Sequence, residues 1–112
     1  DLGRVVHPDG ARNQIEGGAL QAASWTLREA AALTPQGLAT VDWETYPILD
    51  FTERPLEIDV VLINRQNIPP NGAGEGSMRP IVAAMANAIY DATGIRLRQG
   101  PFTPDRIKSG AA

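Results

Sequence analysis

Small or apolar residues recur at Ile15, Ala19, Ala22 and Ala23, Thr26 and Leu27, then Ala30 and Leu33. That spacing marks one face of a long amphipathic helix. Asn13 stands where a cap belongs, and Glu16 three residues later completes a capping-box-like pair. Thr34-Pro35-Gln36-Gly37 ends the helix. The Gly17-Gly18 pair costs such a helix about 1 kcal/mol per glycine, which points to close approach of another helix or a ligand at that turn. Ahead of the helix, residues 3–6 read as a short strand and His7-Pro8-Asp9-Gly10 as a turn.

Downstream, residues 41–51 read as extended chain broken at Pro47. Alternation at Glu57-Ile58-Asp59-Val60 followed by Val61-Leu62-Ile63 makes residues 57–63 the best strand, half exposed and then buried. Residues 67–76 form a loop rich in proline and glycine. Ser77 is placed to cap a second helix whose apolar face is Ile81, Val82, Met85, Ala88 and Ile89. Thr93-Gly94 closes it with glycine at the left-handed position. Residues 95–98 read as a last short strand, and Lys108-Ser109-Gly110-Ala111-Ala112 as a frayed terminus. The expected class is α+β: two amphipathic helices packed on a small mixed or antiparallel sheet. The opening Asp1-Leu2-Gly3-Arg4-Val5-Val6 has no leading turn or cap and reads as the middle of a larger fold.

Composition narrows the chemistry. At 112 residues and 43% apolar content the chain is at most one domain. A net charge of -3 lacks the basic stripe that nucleic acid requires. Without cysteine there is no disulfide, thiolate metal site or iron–sulfur cluster in this chain, and one histidine builds no metal cage. No apolar run approaches the roughly 20 residues that span a bilayer.

The most informative motif is Asn71-Gly72-Ala73-Gly74-Glu75-Gly76-Ser77-Met78-Arg79-Pro80. Glycines on both sides of Glu75 let backbone press against a large ligand. The helix start behind them offers free N–H groups and a partial positive charge. On loop chemistry alone, a solvated acid in a surface turn, favouring the helix dipole, is the better account of Glu75. The loop lacks the Lys-Ser or Lys-Thr of a P-loop and the third glycine of a dinucleotide fingerprint. In Arg12-Asn13-Gln14-Ile15-Glu16-Gly17-Gly18, ordinary capping outweighs a reading in which Gln14 and adjacent N–H groups face an anionic cofactor. His7, a lone histidine in a turn, reads as structural or exposed. Asp42, Glu44, Asp50, Glu53, Glu57 and Asp59 read as a solvated face, Arg96 and Arg98 as edge-strand charges, and Trp25, Trp43, Tyr46 and Phe51 as core or interface.

Several motifs in order resemble the end of the large subunit of the molybdenum hydroxylases, the family of xanthine dehydrogenases, aldehyde oxidoreductases and isoquinoline 1-oxidoreductases. They are the opening residues 1–10, Asn13-Gln14-Ile15-Glu16-Gly17-Gly18-Ala19-Leu20-Gln21, Pro69-Pro70-Asn71-Gly72-Ala73-Gly74-Glu75, Ala86-Asn87-Ala88-Ile89 and Asp91-Ala92-Thr93-Gly94-Ile95-Arg96-Leu97-Arg98. Ala23-Ser24-Trp25-Thr26-Leu27 resembles most the branch that holds the isoquinoline 1-oxidoreductase beta subunit. Many relatives carry Asn-Pro where this chain has His7-Pro8.

The resemblance implies that residues 1–112 are a single C-terminal piece of a molybdopterin-binding domain, inactive alone and holding no cofactor by itself. It implies Glu75 as general base in a hydroxylation that takes its oxygen from water, with N-heteroaromatics or aldehydes as substrates. Gln14, Gly74 and Gly76 are the implied cofactor contacts, and no side chain here ligates the metal. The implied cofactor is molybdenum on molybdopterin, in the cytosine dinucleotide form. The implied partners are the rest of the molybdenum subunit, a small iron–sulfur subunit and a small-molecule substrate. Either cytoplasm or periplasm suits the family. Two other readings stand beside it. One is a non-catalytic assembly or binding domain of the same family, prone to self-association through exposed apolar faces. The other is an unrelated anion-binding module using the two helix starts.

Overall fold

A computed structural model describes residues 2–110. Helix α1 spans Pro8–Leu27 and starts earlier than the periodicity alone suggests. Proline at the first helical position forfeits an N–H that would have no partner there, and its φ suits the helix. His7 is extended, and its Nδ1 accepts a hydrogen bond from the Gly10 N–H at 2.7 Å. His7-Pro8-Asp9-Gly10 is therefore the cap and first turn of α1. Asn13 and Glu16 lie inside the helix and form no capping box.

The other end also differs from expectation. The helix stops at Leu27, with the Arg28 and Glu29 N–H groups both donating to the Ser24 carbonyl. Ala30 and Leu33 are off the helix because the chain turns into a hairpin. Strands β1 (Leu33–Thr34) and β2 (Gly37–Leu38) pair antiparallel, Leu33 opposite Leu38 and Thr34 opposite Gly37. Thr34-Pro35-Gln36-Gly37 is the hairpin turn, closed by the Thr34 hydroxyl donating to the Gly37 carbonyl at 3.0 Å. Gly37 has φ 120, which a side chain would oppose.

Helix α2 spans Met78–Thr93 and ends, as its pattern predicts, at a left-handed Gly94 whose N–H donates to the Tyr90 carbonyl. It packs against α1. The buried residues are small: Ala11, Ala19, Ala22 and Ala23 on α1, with Leu97 and Phe102 beyond α2. Gly18 is the close approach that the glycine pair signals, since a Cβ there would collide with the Ser77 hydroxyl and touch Met78. Gly17 faces open space. The chain beyond α2 is tied back to the far end of α1, where the Phe102 N–H donates to the Thr26 carbonyl at 2.6 Å.

A third helix, α3 (Pro104–Ser109), replaces the expected frayed tail up to Gly110; Ala111 and Ala112 lie outside the described residues, as does Asp1 of the opening motif. Thr103 caps α3 and Pro104 takes its first position, a start signal overlooked in Thr103-Pro104-Asp105.

None of the three strands expected from sequence is paired in a ladder. Residues 3–6 lie along residues 64–71, with Arg4 N–H to Ile68 carbonyl, Arg65 N–H to Gly3 carbonyl and Asn71 N–H to Leu2 carbonyl at 2.9–3.2 Å. Positive φ at Gly3 and the missing N–H groups of Pro69 and Pro70 keep this from becoming a regular ladder. Residues 57–63 and 95–98 carry no strand pairing among the described residues. Arg96 is no edge-strand charge: it donates to Asn87 Oδ1 and lies over the Tyr90 ring. The α+β class holds, carried by the helices and the single hairpin.

Between hairpin and loop, the chain is pinned to the end of α1. Leu49 N–H donates to Ser24 Oγ at 2.9 Å, Tyr46 hydroxyl donates to Glu29 at 2.9 Å, and Arg28 pairs with Glu53. Asp50 and Glu53 form the capping box of a short 3-10 turn, Phe51–Glu53. Trp25, Trp43, Tyr46 and Phe51 line an open groove beside it, and Trp43 and Phe51 are exposed, so these aromatics are not core within the described residues.

Candidate functional site

The glycine loop sits between the start of α1 and the start of α2. Its irregular backbone ends where the Met78 N–H donates to the Glu75 carbonyl at 3.2 Å. This bond sets the loop's exit into α2 and leaves the Glu75 side chain exposed. Among the described residues the Glu75 carboxylate has no hydrogen-bond or ion-pair partner.

The far side of the loop is fixed by Arg4. Its guanidinium donates twice to the Gln66 carbonyl, at 3.1 and 2.8 Å, while Val5 N–H donates to Asn64 Oδ1. Sequence reasoning missed this role. An arginine next to a left-handed glycine and sixty residues from its partner leaves no local signal.

Gln14 lies in the second turn of α1, exposed, with its Nε2 4.0 Å from where a Gly74 Cβ would stand. Its amide also has no partner among the described residues. The structure thus brings Gln14 and Gly74 together, with Glu75 next along the chain. One part of the expectation changes. Because α1 starts at Pro8, the backbone N–H groups around Gln14 are inside the helix, and only its side-chain amide is available to a ligand. Gly76 and Gly72 face open space, so none of the described residues crowds them.

Two clefts flank the loop. One, of about 570 Å³, lies between Leu2, Ile15, Val61, Ile63, Gly72 and Gly76. The other, of about 310 Å³, is reached by His7, Gln14, Asn71 and Ala73. Ser77 occupies the cap position of α2 but has helical φ and ψ and makes no side-chain cap bond. Its hydroxyl is buried against Gly18 without a partner.

Away from the loop, three ionisable groups are moved by local hydrogen bonds. The Thr45 N–H and hydroxyl hold the Asp42 carboxyl below its usual value. Thr52 does the same to Asp50. The bond to Glu29 raises Tyr46. Among the described residues no group of three His, Cys, Asp or Glu side chains could hold a metal ion.

No family model matches the chain. Individual relatives do. The B component of the nicotinate dehydrogenase of Pseudomonas putida is 45% identical over 109 residues, which are 97% of this chain and 9% of the relative. The beta component of the isoquinoline 1-oxidoreductase of Brevundimonas diminuta is 32% identical over 93% of this chain and 13% of its own length. The aldehyde oxidoreductase molybdenum-binding subunit of Escherichia coli K12 is 30% identical over 94% of this chain and 15% of its own length.

The chain belongs to the molybdenum hydroxylase family.

It spans between 9% and 15% of the length of these three relatives. They are oxidoreductase subunits, and two carry the designation of one subunit among several. The family implies a molybdenum cofactor, and the residues present fit such a group. An unpaired Gln14 amide offers both a donor and an acceptor. Gly72 and Gly76 leave backbone exposed where a side chain would stand in the way.

At the start of α1 the His7 imidazole Nδ1 supplies the acceptor that a capping asparagine oxygen would provide.

Proposed function

We propose that this chain supplies the general base, Glu75, to a molybdenum-dependent hydroxylase acting on N-heteroaromatics or aldehydes with water as the oxygen source. The observation that carries the reading is the placement of an exposed, unpaired Glu75 on the glycine loop next to Gly74 and the free amide of Gln14. The names of the relatives, which refer to nicotinate, isoquinoline and aldehydes, support the substrate classes.

Gln14 would hold a polar atom of the molybdopterin cofactor, and Gly74 and Gly76 would let it approach the backbone. When bound, the cofactor supplies a Lewis-acidic metal that accepts two electrons. The cytosine dinucleotide form is the proposed one. This chain's part is proton transfer. Glu75 accepts a proton from the oxygen that will attack the substrate carbon, and must lie within hydrogen-bond reach of it. The Glu75 carbonyl is committed to the Met78 N–H, which fixes the start of α2 relative to the residue bearing the carboxylate. Water exclusion and substrate binding fall to the remainder of the molybdenum subunit. In the full enzyme, iron–sulfur clusters on a small partner subunit would carry the electrons away; this chain, without cysteine, would hold none of them.

The test is Glu75→Gln in the complete subunit, with molybdenum content measured alongside turnover. The expected result is unchanged molybdenum and a fall in turnover of roughly 10²–10⁴-fold, the usual cost of losing a general base. A loss of only a few-fold with full molybdenum would overturn the assignment.

A further inference from the structure

Residues 57–63 combine two properties that rarely persist together. Their exposure alternates: Ile58, Val60 and Leu62 are half-buried while Glu57, Asp59, Val61 and Ile63 point outward. This is the period of a strand. Yet among the described residues no backbone N–H or C=O of this segment is hydrogen-bonded. An open, β-prone edge is a template for another strand.

We propose that residues 57–63 are one strand of a sheet whose neighbouring strand is contributed by the part of the molybdenum subunit outside these 112 residues. The inference rests on the reading of this chain as part of that longer subunit. The matched segment makes up 9% to 15% of the relatives, so such a subunit has ample chain to supply the partner.

The side chains argue against a second copy of the same segment. In a parallel in-register pair, Glu57 would lie beside Glu57 and Asp59 beside Asp59, which repel. In an antiparallel pair centred on Val60, Glu57 would face Ile63 and Asp59 would face Val61, setting carboxylates against aliphatic surface. A suitable partner is polar or basic opposite Glu57 and Asp59 and apolar opposite Val61 and Ile63. The latter two are each 78% exposed and need cover. Val61, Leu62 and Ile63 also form a wall of the cleft that reaches Gly72 and Gly76. The docked strand therefore borders the glycine loop and helps to shape the side of the site that this chain leaves open.

The test is amide hydrogen exchange, read by mass spectrometry, on the complete subunit. The expected result is exchange over residues 57–63 at least about 100-fold slower than the intrinsic rate of an unstructured chain, at every protein concentration. Exchange near the intrinsic rate would overturn the proposal. So would protection that disappears as dimers of the complete protein are diluted to monomers, because the partner would then be a second copy. The Glu75→Gln result is independent of this readout. Loss of the base assignment leaves the exchange pattern standing, and the reverse holds as well.

Discussion

Gly18 and Ser77 meet where α1 packs on α2, with no room for a side chain on the glycine. Gly17, one residue earlier, faces open space. The pair therefore separates helix propensity from packing. Gly17→Ala is expected to stabilise by up to about 1 kcal/mol through propensity alone. Gly18→Ala is expected to destabilise by about 1–3 kcal/mol, because overpacking outweighs the same gain. Urea denaturation of both variants checks this, and equal shifts would contradict the crossing.

His7 is expected to be worth about 1 kcal/mol as a cap, the usual loss when a capping acceptor is replaced by alanine. His7→Ala should lower the denaturation midpoint by the equivalent of that loss. His7→Asn should restore it, because a side-chain oxygen can take the Gly10 N–H that Nδ1 accepts. A His7→Asn protein as unstable as His7→Ala would show that the imidazole contributes by packing.

Asp42 and Asp50 have folded values below those of free carboxylates, owing to their threonine partners. Depressed values place their stabilisation above the unfolded pKa of about 3.9. It is lost as pH falls through the still lower folded values. The Thr45 and Thr52 amide resonances should therefore move together below about pH 4. Tyr46 runs the other way. Its raised value keeps the bond to Glu29 intact up to about pH 10 and releases it above. An NMR titration reads all three. Amides that move with a midpoint at or above the free carboxylate value of about 3.9 would contradict the carboxylate bonds.

Gln14→Ala in the complete subunit should lower molybdenum retention about 10-fold or more, the cost of one hydrogen bond to a charged group. As Gln14 is exposed and unpaired in this chain, its removal should leave thermal stability within about 0.5 kcal/mol. Metal analysis of purified protein against its melting curve separates the two. Full retention would remove Gln14 from the cofactor contacts.

The second helix was legible to within a residue because Ile81, Val82, Met85, Ala88 and Ile89 form one periodic face and Gly94 punctuates it. The first helix was legible in its middle only. Ala30 and Leu33 continue its period by coincidence, and the hairpin turn at Thr34-Pro35-Gln36-Gly37 uses the same residues that stop helices. The alternation at residues 57–60 was legible, but Val61 and Ile63, expected to be buried, are each 78% exposed, and alternation carries no information about which chain pairs with it. The proximity of Gln14 to Gly74 was not visible in spacing, since the two are brought together by packing of α1 on α2. The residues alone marked both as candidates but favoured capping for Gln14, and the family resemblance is what named the two together as cofactor contacts.

The attachment of residues 2–5 to residues 64–71 has a kinetic meaning. Each of those hydrogen bonds closes a loop of about sixty residues, whose entropy must be spent before any bond is gained. The helices rest on contacts four residues apart and need no such search. The glycine loop is thus expected to take its shape only as α1 docks on α2, a contact of the same long range, and a faulty closure would leave Glu75 without a fixed position.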